Sequence, residues 1–112
     1  MIPGRTVAVN LKYDKFDVYV GRAGRGYDGF FGNPVRIGAE CLECGVVHES
    51  GGDTLPCFEI YFKRRLRSDP EFKRRVLGLR GKRLGCFCVP RPCHSEIMAR
   101  WIDNQPLAQE AP

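Results

Sequence analysis

Two short apolar alternations open the chain. Thr6 to Leu11 puts Val7, Val9 and Leu11 on one face, which predicts a half-buried strand. Asp17 to Val20 predicts a second strand after the polar turn Tyr13-Asp14-Lys15, a candidate hairpin partner for the first. From Gly21 to Gly38 the periodicity stops. Six glycines, Pro34 and an Asn33-Pro34 step make this stretch a long structured loop. Loops of that length in small domains are usually functional or metal-stapled.

Helical spacing takes over at Thr54, which reads as an N-cap with Pro56 in the first turn. Leu55, Phe58, Tyr61, Phe62 and Leu66 form the apolar stripe, Lys63, Arg64 and Arg67 lie off it, and Ile60 falls on the polar side. Ser68-Asp69-Pro70-Glu71 has capping-box spacing, so a second helix starts there, carries Phe72, Val76 and Leu79 inward and stops at Gly81. Lys82 to Cys88 reads as a strand and Val89 to Pro92 as a proline-fixed loop. His94 to Ile102 is a last helix burying Ile97, Met98 and Trp101. The order β-β-loop-α-α-β-α predicts an α/β domain with a small Rossmann-like sheet and a zinc-stapled loop. If the strands at Val18 and Leu84 are parallel neighbours, the two helices are their crossover, and the carboxyl ends share the edge where open α/β sheets bind ligands.

Length confines these elements to one domain, residues 1–103, with 104–112 as a frayed tail. There is no apolar run of signal-peptide length behind a basic flank and none near the ~18 residues of a membrane span, so a cytoplasmic protein is expected. Cytosolic thiols stay reduced, so the six cysteines read as metal ligands rather than disulfides. The net charge of +5 is uneven. Ten Lys or Arg against two acidic residues lie between Tyr61 and Arg83, a segment of +8 that leaves −3 for the rest. Such concentration points to an acidic partner, of which nucleic acid is the commonest; two solvated helix faces are the alternative.

Three groups of residues carry candidate chemistry. Cys41 and Cys44, in a Cys-x-x-Cys-Gly turn, together with His48 and Cys57, supply three thiolates and an imidazole, a set suited to tetrahedral zinc. Cys57 falls in a first helical turn, where the dipole favours a thiolate. Cys86, Cys88, Cys93 and His94 form a second cluster with three readings: a second metal site, a reactive Cys93 thiolate beside His94, or packed core cysteines with a capping histidine. Gly21, Arg22 and Arg25 follow a strand and present amides and guanidinium groups together, which suits phosphate.

Tyr19-Val20-Gly21-Arg22, Gly32-Asn33-Pro34 and Gly81 to His94 with its Cys-x-Cys, Pro and Cys-His pattern resemble a family of small bacterial and phage proteins of unassigned function. The resemblance runs from about Asp17 to Trp101 and implies a shared fold and a phage connection, but no reaction. Ser95 stands where that family commonly has glycine, and the Cys41–Cys57 insert looks like a subgroup feature.

The reading that joins these features is a zinc-binding α/β protein that takes nucleotide or nucleic-acid phosphate. Its contacts are Gly21, Arg22, Arg25 and Asn33 at the sheet edge, and Lys63, Arg64, Arg67, Lys73 and Arg74 on the helices. One alternative is an enzyme acting on a nucleotide or modified base, with Cys93 and His94 as its reactive pair. Another is a phage protein that inhibits a host factor through its basic face.

Overall fold

The computed structural model describes residues 5–24, 26–50, 52–87, 89 and 93–105. Its elements are β1 (Val7–Asn10), β2 (Val18–Tyr19), α1 (Leu55–Ser68), α2 (Pro70–Leu77), β3 (Arg83–Cys86) and α3 (His94–Asp103), in the expected order. A single 3₁₀ turn, Gly52–Thr54, leads into α1. The fold is mixed α/β, built on a three-stranded sheet of order β1-β3-β2 with every pairing parallel.

The hairpin expected from β1 and β2 does not form. β3 lies between them, with Val9 and Tyr19 both registered on Gly85. The chain leaves β1 at Leu11, whose amide donates to Cys86 O (3.0 Å), and returns at Asp17, whose amide donates to Arg83 O (2.8 Å). Residues 11–17 therefore recross the face of β3. A connection between parallel strands ordinarily takes about a dozen residues or more; here the strand being spanned has only four. Phe16 lies on Gly85 so closely that an added Cβ would sit 2.7 Å from its Cγ.

The opposite face carries the helices. Leu84 and Cys86 are buried toward α3, which packs on β1 and β3 while α1 and α2 lie against α3. Phe58, Phe62 and Phe72 form the aromatic centre of this layer with Val76, Met98 and Ile102. Ile60 stays 56% exposed, as its off-stripe position requires. Pro70 cannot continue α1 because it lacks an amide proton. The cap of α2 is Asp69 rather than Ser68: its Oδ1 accepts from Phe72 N (3.1 Å), while the Ser68 hydroxyl donates back to Arg64 O. α2 ends at Gly78, before the expected Gly81, although Leu79 still turns into the core.

Thr54 occupies the expected cap position of α1, but its hydroxyl makes no cap hydrogen bond. It accepts instead from Asn33 Nδ2 (3.1 Å), which draws the long loop onto the start of α1. Arg25, Cys88 and most of the expected tail, 106–112, lie outside the described residues. Among the described residues, no helix is long and apolar enough to cross a membrane.

Candidate metal centre

The segment from Glu40 to Val47 folds as a knuckle. Glu40 and Val47 form an antiparallel bridge, Cys41 N donates to Val46 O (3.0 Å) and Gly45 N to Cys41 O (2.8 Å). Gly45 supplies the left-handed φ of +78° that closes the turn, a conformation costly for any residue with a Cβ. The turn aims the Glu43 amide at Cys41 Sγ (3.3 Å). Gly38 N then donates to His48 O, laying the following strand of chain back along the knuckle. Cys57 arrives separately, from the first turn of α1, where Pro56 fixes the helix start.

The ligand atoms of Cys41, Cys44, His48 and Cys57 lie within 4.8 Å of one another. Among the described residues this is the one group of three or more Cys, His, Asp or Glu that converges in this way. His48 Nε2 lies 3.5 Å from Cys44 Sγ, and Asp53 Oδ2 stands 3.1 Å from Nδ1. That carboxylate contact closes no hydrogen bond to Nδ1, and it becomes an ion pair only when the ring is protonated. A carboxylate behind one imidazole nitrogen, with the other facing sulfur, is the outer-shell arrangement that orients metal-ligating histidines.

The electrostatics fit a cation. Burial opposes ionisation of Cys41, but hydrogen bonds from the Cys44 and Glu43 amides and from His48 outweigh it and bring the thiol down to about 6. Cys57 is pushed up to about 12 by burial, then by the Cys44 and Cys41 sulfurs. The first negative charge thus resists a second, which an ion among the sulfurs would relieve. Contacts with Cys41 and Asp53 raise His48 above its ordinary value. The donor set and its geometry can hold a metal, and soft thiolates select zinc-like ions over magnesium or calcium.

A pH dependence follows, because protons compete with the metal for these ligands. Cys41 is a depressed group, so its thiolate is in place above about 6 and is lost as pH falls through that value. The raised His48 binds its proton in the same direction. Metal affinity should therefore weaken as pH falls below about 6, and acidification should in the end release the ion, which a zinc-responsive dye in the supernatant would report. Retention of the full metal content in strong acid would contradict the ligand assignment.

The second cluster has a different character. Cys86 Sγ is 3.1 Å from Cys93 Sγ, and the Ser95 hydroxyl, fully buried, donates to Cys93 Sγ (3.2 Å). The sulfur of Cys93 turns inward and makes no cap hydrogen bond to α3. The hydrogen bond with Cys86 and then burial hold its thiol well above the ordinary value, outweighing the hydroxyl and amide of Ser95, which act in the expected direction and lower it. His94 is buried with Nε2 2.6 Å from Val20 O, and its Nδ1 lies 3.7 Å from Cys93 Sγ. Desolvation lowers its pKa and keeps the ring neutral. These are packed groups of the core, in contrast to the accessible nucleophile and acid/base expected of an enzyme.

The sheet edge gathers Val20, Gly21, Arg22 and His94, as the topology predicts. Gly21 is buried beside the Tyr19 ring. The Arg22 guanidinium grips the loop, donating to Asn33 O (3.0 Å) and Val35 O (2.7 Å). Asn33 is buried, with Oδ1 accepting from Val35 N and Nδ2 donating to Thr54. The Gly-Asn-Pro stretch thus serves as a bracket for the loop.

Lys63, Arg64, Arg67, Lys73 and Arg74 are all exposed, as expected. They are not equally available. Arg64 is paired with Glu43, Arg74 with Glu71, and Lys63 with Glu59 at 2.8 Å. Two further cations lie on aromatic rings, Arg75 at 3.7 Å from the Phe30 centroid and Arg65 at 4.0 Å from that of Phe72.

Residues 7–104 match the family described as a domain of unknown function, DUF4326, and the chain belongs to that family. It is also similar to an uncharacterized 12.4 kDa protein of the nrdA-td intergenic region of Enterobacteria phage T4. The two are 35% identical over 102 residues, which cover 90% of this chain and 82% of the relative. No solved structure matches.

Proposed function

We propose that this family member is a zinc-stapled binding module that takes nucleic-acid or nucleotide phosphate on its basic helical face. The convergence of Cys41, Cys44, His48 and Cys57 carries the first half of this reading, since three thiolates and an oriented imidazole are a structural zinc set. All four ligand positions are taken by protein side chains, and an ion there would tie the loop to the start of α1, which is a structural duty.

The second half is supported by the +8 balance of residues 61–83. Each phosphate neutralised releases condensed counterions, so such binding weakens with salt. The test joins elemental analysis to a titration. We expect one zinc per chain, and oligonucleotide binding at low salt that falls with a log–log slope of roughly −2 to −3, as a few phosphate contacts require. Absence of binding to DNA or RNA at low salt would remove the phosphate reading; absence of zinc would remove the staple.

A further inference from the structure

Where the last turns of α1 meet the start of α2 and the side of α3, the surface sinks into a groove of about 530 Å³. Its lining is Lys63, Leu66, Arg67, Pro70, Lys73 and Trp101, with no carboxylate among them. Trp101 is half-buried and set edge-on against Phe62, centroids 5.8 Å apart at 87°, so the core fixes the plane of the indole. Arg67 and Lys73 are exposed and enter no ion pair among the described residues, whereas Lys63, Arg64 and Arg74 are held by glutamates. Two cations left available within the basic segment thus border the chain's one indole.

We infer that this groove binds single-stranded nucleic acid, with one unpaired base against Trp101 and the adjoining phosphates on Arg67 and Lys73. The inference rests on the basic-face reading and names its ligand. A rigid aromatic beside uncommitted cations matches the two-part chemistry of a nucleotide, a π-face and an anion. The volume falls within the ~300–1,000 Å³ of sites that enclose one small ligand, so the groove suits one nucleotide unit rather than a helix. Bases in a duplex are stacked on their neighbours and cannot offer a face to the indole without leaving the stack.

Trp101 is the chain's only tryptophan, so its emission reports on the groove directly. Intact protein titrated at low salt with an oligothymidylate of about twelve nucleotides should show saturable quenching, with a duplex of equal length giving none. Polarisation of a labelled strand measures affinity independently. The double variant Arg67→Glu, Lys73→Glu should bind about ten-fold or more weakly, and its salt slope should shrink by roughly 0.7 for each phosphate no longer neutralised. Lys15→Glu, exposed on the crossover of residues 11–17, should shift affinity far less. Binding with unchanged tryptophan emission and equal affinity for duplex would overturn the groove assignment and leave the basic-face reading standing. A double variant no weaker than Lys15→Glu would overturn it too. No binding of either form at low salt would remove both readings together.

Discussion

Cys57→Ser should empty the metal centre and lower the melting temperature on the order of 20 °C. Loss of a structural metal belongs to the few changes that cost more than about 4 kcal/mol, and a domain near this size loses ~4–8 °C per kcal/mol. The effect is large because Cys57 is the one ligand from outside the knuckle, brought in by α1. Without it the ion no longer ties residues 41–48 to the helical layer. Chelation of the wild-type protein should bring its melting temperature to that of the variant, and chelator should then leave the variant unmoved. Cys86→Ser, which removes a thiol from the other cluster, should retain the full metal content measured by elemental analysis. A Cys57→Ser protein that melts like wild type would show that the loop holds without the ion.

Gly85→Ala should cost roughly 1–3 kcal/mol, the usual range for overpacking, and Gly85→Val more. The added Cβ would meet Cγ and Cβ of Phe16, at 2.7 and 3.0 Å. Rotation about χ1 moves Cγ but leaves Cβ in place, so a rotamer change cannot clear both, and the backbone of residues 11–17 must give as well. That movement strains the bond from Asp17 N to Arg83 O and that from Arg83 N to Asp17 Oδ2, both 2.8 Å. Denaturant unfolding of Gly85→Ala, Phe16→Ala and the double variant gives the coupling. The double variant should be markedly less destabilised than the sum of the singles. Strict additivity would mean that Phe16 is not what excludes a side chain at Gly85.

The elements and the metal ligands were legible in the sequence because both are local. The apolar spacing of Phe58, Phe62 and Leu66 is set within one helix, and Cys41, Cys44 and His48 lie within one turn of chain. What could not be read was long-range competition for the same groups. Proximity in sequence suggested that β1 and β2 pair, but β3 offers both of them a partner that is buried on one face by α3. Thr54 has the chemistry of a cap, yet Asn33 claims its hydroxyl from 21 positions away. Charge counting made the cations of the basic segment equivalent, whereas Glu43 neutralises Arg64 from another loop and Phe30 covers Arg75. At Cys93 the first helical turn does pull the thiol down through the Ser95 amide, but the neighbouring Cys86 sulfur and burial outweigh it. Trp101 read as a core residue from its helical spacing. Its half-exposed position reflects the rim of the layer, which periodicity does not mark.

The placement of β3 between two strands that precede it also governs the order in which this chain can acquire structure. β1 and β2 pair with β3 and not with each other, so neither has a ladder partner until Arg83–Cys86 has been made. A ribosome-bound chain ending before Arg83 therefore has no sheet at all, however long it waits. The metal ligands, by contrast, are all synthesised by Cys57 and need only a short loop closure. Native pairing of the sheet is accordingly late, and the loop that the metal ligands close can form before β3 is made.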